Sequence, residues 1–183
     1  MRTRARVHLR SAAIVVAIAL SAFTWTACHR DPTGPLDVSQ LDGARVATSR
    51  YQHLANAVAD GYVDAHIVMQ GMGVHYLNSA RVNGKFDPGR PQLLVYVPEA
   101  DTMRLVALEY AVPLDSSSTA PQGFVGGDDV WDRNTTFGLW TLHAWIWYDN
   151  PSGVFNPTNP RVHLPNLSAA GSYRWAKGIE PAG

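Results

Sequence analysis

Ten consecutive residues, Leu139 to Tyr148 (LWTLHAWIWY), hold three tryptophans and a tyrosine and no acidic or basic side chain apart from His143. Read as a strand, alternation puts Leu139, Thr141, His143, Trp145 and Trp147 on one side and Trp140, Leu142, Ala144, Ile146 and Tyr148 on the other. Both sides are largely apolar, so the stretch reads as a central strand covered on both faces rather than a half-wet edge. The chain then passes three Asn-Pro steps, Asn150-Pro151, Asn156-Pro157 and Asn159-Pro160. Each proline keeps the residue before it out of helical backbone, and asparagine favours turn initiation. A rigid, turn-rich loop beside an aromatic strand suits the wall of a binding pocket.

The N-terminus carries a different message. Arg2, Arg4, Arg6 and Arg10 form a basic segment, an apolar run from Ala12 to Leu20 follows, and Thr26 and Ala27 lead to Cys28. This layout is that of a secretory signal over residues 1–27, and its apolar run is short for a membrane span. Cys28 is the single cysteine of the chain, so no intramolecular disulfide forms. A lone thiol at that place resembles a lipoprotein acylation site, with Trp25 standing where an aliphatic residue is usual. An unmodified thiol exposed in an oxidising compartment is a liability, which favours lipidation of Cys28. The expected partner is then a membrane, held through an N-terminal lipid on the periplasmic or extracellular side of the envelope.

Charge excludes one class of partner. Four of the 15 Lys+Arg and none of the 15 Asp+Glu fall within residues 1–27, which leaves the mature chain at about −4. No basic patch remains to attract nucleic acid.

Residues 28–38 are polar and punctuated by Pro and Gly, as expected of a tether. From Ser39 to about Gly61, Ala47, Tyr51, Leu54, Ala55, Val58 and Tyr62 recur at helical steps, which predicts one amphipathic helix. Ser39 and Asp42 form a loose capping box, Gly61 suits the position after the helix, and His53 falls on the surface. The glycines of Met69–Tyr76 permit a turn into a strand. Gln92–Val97 and Met103–Val112 read as a hairpin, with Leu105, Ala107, Glu109 and Ala111 on one face of the second strand. Residues 113–138 are too long and polar for a plain connector and read as a functional loop or flap. One globular domain spans 39–165, with one more edge segment expected after residue 160, and 166–183 is a C-terminal tail. The fold class is α+β: a helix packed on a curved, mainly antiparallel sheet with long loops. A small β-sandwich or barrel with an external helix is the alternative.

Three residues stand inside apolar strand-like runs where their chemistry is out of place: His75, Glu109 and His143. An ionised carboxylate among Leu, Ala and Tyr is costly to bury without a partner. Two imidazoles supply one, directly or through a divalent metal such as zinc, because two His and one Glu with an open fourth position form a catalytic zinc set. The same set suits a 2-His-1-carboxylate iron site. A buried polar network without metal is the competing reading, since alternation allows the three to share a face without requiring it. Tyr76, Trp145 and Trp147 are the aromatic candidates for lining the pocket, and aromatics at strand spacing also serve as core. Asp128, Asp129, Asp132 and Asn134 make an oxygen-rich cluster without EF-hand spacing, read as a solvated acidic loop. No G-x-S-x-G elbow and no phosphate-binding glycine loop is present.

Taken together, Met72-Gly73-Val74-His75-Tyr76, the Leu93–Tyr110 hairpin, and His143-Ala144-Trp145-Ile146-Trp147 with Asn150-Pro151, Gly153, Phe155 and Asn159-Pro160 are similar to an uncharacterised bacterial family. Its members are secreted or lipid-anchored proteins with an M-G-x-H-Y motif and an H-x-W-x-W-x-x-N-P-x-G-x-F-x-x-x-N-P motif. The resemblance covers about residues 50–163. It implies an envelope location and a single compact domain, and no particular activity. Where members carry a cysteine soon after the last Asn-Pro, this chain has Val162-His163, so a late disulfide is absent.

Three functions remain open on the sequence. The first is an exported domain binding a small ligand or metal through His75, Glu109, His143 and the tryptophans. The second is a metal-dependent hydrolase or lyase using the same residues. The third is a structural or partner-binding envelope protein with the trio as a buried polar network.

Overall fold

Six antiparallel strands form one sheet in the order β1-β2-β3-β4-β6-β5: β1 (Val63–Met69), β2 (Gly73–Leu77), β3 (Leu93–Glu99), β4 (Thr102–Pro113), β5 (Asp132–Asn134) and β6 (Leu139–Ala144). The computed structural model describes residues 36–115, 119–126 and 129–164. The expected signal segment 1–27, Cys28, the tether up to residue 35, Ser116 to Ser118, Asp128 and the tail 166–183 lie outside the described residues. Ahead of the sheet come α1 (Val38–Thr48), a 3₁₀ turn (Ser49–Gln52) and α2 (Leu54–Ala59). The class is α+β, and the described residues form one sheet rather than the two of a sandwich.

The predicted single helix is broken. His53 takes an extended conformation (φ −95°, ψ 111°) between the 3₁₀ turn and α2, and its side chain is exposed. The N-cap is Asp37, whose Oδ1 accepts from the Ser39 N–H at 3.1 Å, in place of the expected Ser39 cap. Asp42 instead pairs with Arg45 at 2.8 Å. Gly61 does sit after α2 at φ +87°. The helices cover one face of the sheet, where Ala44, Tyr51 and Ala57 join Tyr62, Tyr76, Leu94, Tyr96, Leu108, Tyr110 and Leu142 in the main core.

Two bulges set the shape of the sheet. On β4, Val95 pairs with Ala107 and Tyr96 with Leu105, so Val106 is an extra residue. The alternation of β4 therefore switches there: Leu105 lies with the helices, whereas Ala107 and Glu109 face the other side, which corrects the expected Leu105–Ala111 face. On β1, the three residues between Asp64 and Val68 stand opposite one, His75, between Val74 and Tyr76, and His66 adopts φ 55° in that irregularity. Strand β1 had no counterpart in the sequence reading. The sheet curls, because side chains from both of its edges, Ile67 of β1 and Asp132 of β5, line a common cavity.

The aromatic strand is shorter than its pattern. It leaves the sheet after Ala144, and residues 146–148 form a bend. The Asn-Pro loop then folds back on it: the Trp145 backbone N–H reaches the Val154 carbonyl at 2.9 Å, and its indole N–H reaches the Asn156 carbonyl at 2.7 Å. All three asparagines act as turn formers in the same way. Oδ1 of Asn150, Asn156 and Asn159 accepts from the backbone N–H two residues on, at Ser152, Thr158 and Arg161. Asn159 also donates its backbone N–H to Gly71 at 2.7 Å, which ties the loop to the turn between β1 and β2. No strand follows residue 160 among the described residues, and Leu164 is buried, its N–H held by Gln70 Oε1 at 2.8 Å.

Candidate metal centre

Strand register builds the site. Leu77, Leu93, Glu109 and His143 pair in sequence across β2, β3, β4 and β6, so they form one row on the face away from the helices. His75 lies one pleat along in the next row, with Val95 and Ala107. The curl of the sheet lets His75 and Glu109 meet over the intervening β3. At the start of β2, Gly73 passes close to β3 and only glycine fits: a Cβ there would stand 2.5 Å from the Tyr96 carbonyl oxygen and 2.9 Å from Val95 Cγ1, and its φ is +132°.

The three side chains converge. Glu109 Oε2 is 3.5 Å from His75 Nε2 and 3.9 Å from His143 Nε2, and one ligand atom from each residue lies within 4.8 Å of the others. Exposure is 2% for His75, 7% for Glu109 and 4% for His143. A tetrahedral zinc ion with bonds of about 2.0–2.1 Å sets its ligand atoms about 3.3 Å apart. Closing the trio on an ion thus requires side-chain shifts of a few tenths of an ångström to about an ångström.

The hydrogen bonds sharpen this geometry. His75 donates Nδ1–H to the Ile67 carbonyl at 3.0 Å, since a carbonyl can only accept. That carbonyl lies in the bulged stretch of β1, so the irregularity that sequence reading missed is what orients the ring. In a neutral ring the tautomer then turns the Nε2 lone pair toward Glu109. Metal-bound histidines are held in this way, the second nitrogen donating to a backbone carbonyl. Glu109 Oε2 and His143 Nε2 are buried without a hydrogen-bond partner. Burial holds the His143 imidazole below its ordinary value of 6.5; the Glu109 carboxylate opposes the shift and His75 adds to it. A neutral imidazole is the form a metal needs.

No family profile matches the chain, and neither a curated protein nor a solved structure matches it. What the centre does must come from its own chemistry.

Above the trio is a cavity of about 200 Å³, its walls drawn from Ile67 and Met69 on β1, Met72 in the following turn, Asp132 and Asn134 on β5, Phe137, Leu139 and Pro157. The end of the long excursion, through Asp132, Asn134 and Phe137, therefore supplies one wall, and the Asn-Pro loop another through Pro157. Of the oxygen-rich cluster, Asp132 and Asn134 take part because they are two apart on one strand.

The expected aromatic lining divides. Trp145 packs behind His143, its ring nearly parallel (14°) at 6.1 Å, among Val95, Val106, Ala107 and Val162. It backs the site without lining the cavity. Tyr76 and Trp147 lie on the helix side and do not join the trio. Tyr76 follows strict alternation with His75 and packs edge-on against Tyr96, and burial, with Asp64 adding to it, pushes its hydroxyl up to about 12. Trp147 falls beyond the end of β6, where period-two alternation stops, and its indole N–H meets Thr48 Oγ1 at 3.3 Å. Phe137, Met69 and Met72 were absent from the sequence reading of the site, and only their place beside β6 and β1 marks them.

Proposed function

We propose that the protein is an exported, lipid-anchored domain that binds one divalent transition-metal ion through His75, Glu109 and His143 and a small ligand in the cavity above it. One observation carries the reading: three ligand atoms face one another in a buried site, and two of them, Glu109 Oε2 and His143 Nε2, have no hydrogen-bond partner in the protein. Such an arrangement is costly in an empty protein and is relieved by a cation at its centre. Two imidazoles and one carboxylate suit zinc and also iron(II). The envelope location rests on the layout of residues 1–28 and on the family resemblance.

The cavity favours a second reading over purely structural metal. A structural zinc site closes with four protein ligands, whereas three protein ligands beneath an accessible cavity leave a position for water or substrate. In that reading the ion lowers the pKa of a bound water for hydrolysis or lyase chemistry.

Elemental analysis of the purified full-length product is the test. One equivalent of zinc or iron is expected, lost in both Glu109→Ala and His143→Ala while the fold persists by circular dichroism. Unchanged metal content in either variant would exclude the trio as ligands. Mass spectrometry of the same sample should find a chain starting at an acylated Cys28, and an intact residue 1–27 segment would refute the anchor.

A further inference from the structure

The cavity restricts what such a metal ion can meet. Its walls are mostly apolar, with Ile67, Met72, Leu77, Leu93 and Leu139 around the trio. Among the described residues that line it there is no Lys or Arg; Glu109 and Asp132 are its acidic groups. A phosphate or a dicarboxylate would therefore find no basic side chain to pair with. The acidic side chains on the cavity wall, Glu109 in the trio and the exposed Asp132, disfavour an anion further, whereas a neutral ligand meets no such opposition. Size gives the second limit. An apolar cavity of about 150 Å³ accommodates benzene, and the cavity here is about 200 Å³. Two of the lining residues, Met69 at the end of β1 and Phe137 in the turn between β5 and β6, are 48% and 57% exposed, so the solvent-facing part of the wall is apolar as well.

Resting on the metal-centre reading above, we propose that the site takes an uncharged molecule of about single-ring size, apolar in body, with one oxygen donor directed at the metal. The ring packs against the leucines and methionines, the oxygen occupies the open coordination position, and Asp132 repels anionic competitors. Amides, alcohols, ketones and esters of this size share the required chemistry. Phosphoesters and di-acids lack it.

The experiment uses full-length protein loaded with Co²⁺, whose visible bands report both coordination and the arrival of an oxygen donor. Benzamide is expected to shift the bands with at least tenfold lower Kd than acetamide. It is also expected to bind at least tenfold more tightly than phenyl phosphate, which carries the same ring on a dianion. Asp132→Asn should leave the Co²⁺ content unchanged and narrow the gap between benzamide and phenyl phosphate. Equal affinity for benzamide and acetamide, or tighter binding of phenyl phosphate, would overturn the proposal. Failure of the metal reading looks different: no Co²⁺ band, or a band retained in Glu109→Ala. Tryptophan fluorescence, through Trp145 behind His143, then follows benzamide on the metal-free chain. Tighter binding of benzamide than of phenyl phosphate there upholds the cavity's preference without the ion, and no benzamide binding removes both proposals.

Discussion

The two faces of the sheet are built from the same strands and differ in which buried polar atoms go without a hydrogen bond: the indole N–H groups of Trp131 and Trp140 on the helix-covered side, a carboxylate oxygen and an imidazole nitrogen on the other. On the helix-covered face three buried tyrosines end in hydrogen bonds to backbone carbonyls: Tyr62 donates to Pro91 at 2.7 Å, Tyr96 to Tyr51 at 2.6 Å and Tyr110 to Pro88 at 2.8 Å. Gln92, at the start of β3, is equally well served. Its Nε2 donates to the Arg81 and Lys85 carbonyls, and its Oε1 accepts from the Ala111 N–H. On the other face the buried carboxylate of Glu109 and the ring of His143 each present an atom with no hydrogen-bond partner, at 3.9 Å from one another. Polar groups on the first face join loops and helices to the sheet. Those on the second are, on the reading proposed above, the ligands of an ion. A protein of this size is stable by only about 5–15 kcal/mol, so a buried carboxylate left bare is a large concession unless binding needs it.

The comparison breaks first, and with the largest effect, at Tyr110. Its ring lies 4.8 Å from Phe86 and 5.6 Å from Phe124, and its hydroxyl holds Pro88. Tyr110→Ala should cost about 3–5 kcal/mol of stability, the range for large aromatic truncations in a core. Metal content per folded chain should stay the same. A denaturant titration and elemental analysis on one preparation check both halves, and loss of metal from the folded fraction would mean the faces are not independent.

The second prediction reverses the pattern on the other face. Zinc at a hundredfold excess over its Kd should stabilise the wild-type chain by about 2.7 kcal/mol. Glu109→Leu should show none of that gain. Without metal, Glu109→Leu should be at least as stable as wild type, because the substitution removes a buried charge whose inward oxygen has no hydrogen-bond partner. Thermal melts with zinc and with chelator decide it, and a strongly destabilised metal-free variant would place Glu109 among the structural groups.

Tyr96→Phe is the smaller, cleaner probe of the helix face. It removes one hydroxyl, leaves the packing against Tyr76, and strands the Tyr51 carbonyl. A loss of about 1 kcal/mol is expected, with zinc stabilisation unaltered. An equal loss of zinc stabilisation would contradict the division between the faces.

How much of this was legible in the chain depended on whether a signal was local. Glu109 inside LVALEYAV and the two histidines inside apolar runs were visible as misplaced polar groups, because burial of a charge is a statement about its sequence neighbours. Their meeting was not, since it depends on strand order and curl. The hairpin of β3 and β4 was read nearly in place, but its face assignment failed before Ala107 because one extra residue at Val106 leaves no mark in an apolar run. Strand β1 escaped for a related reason. In VDAHIVM the bulge interrupts alternation, and the edge position leaves Val63 and Met69 exposed. The Asn-Pro turns were fully legible, each being a matter of one side chain and a backbone N–H two residues on. Trp147 was assigned to the wrong face because the alternation rule was carried past Ala144, where the strand ends.

The finest test of the comparison is pH, applied to the metal-free chain. Burial lowers the His143 imidazole in the folded protein, while in the unfolded chain it titrates at its ordinary 6.5. Above that pH both states are neutral at this residue and it contributes nothing to the pH dependence. Below it the unfolded chain takes up a proton that the folded one resists, so stability falls with pH until the folded imidazole also protonates. The effect is the smallest of the four, because Glu109 pulls against the burial that causes it. Urea titrations at pH 7.5 and 5.5 in chelator, on wild type and His143→Gln, isolate it: the wild type should lose more stability on acidification than the variant. Equal losses would mean that His143 is not held neutral, and the site would then resemble the tyrosine face, with its polar groups satisfied from within.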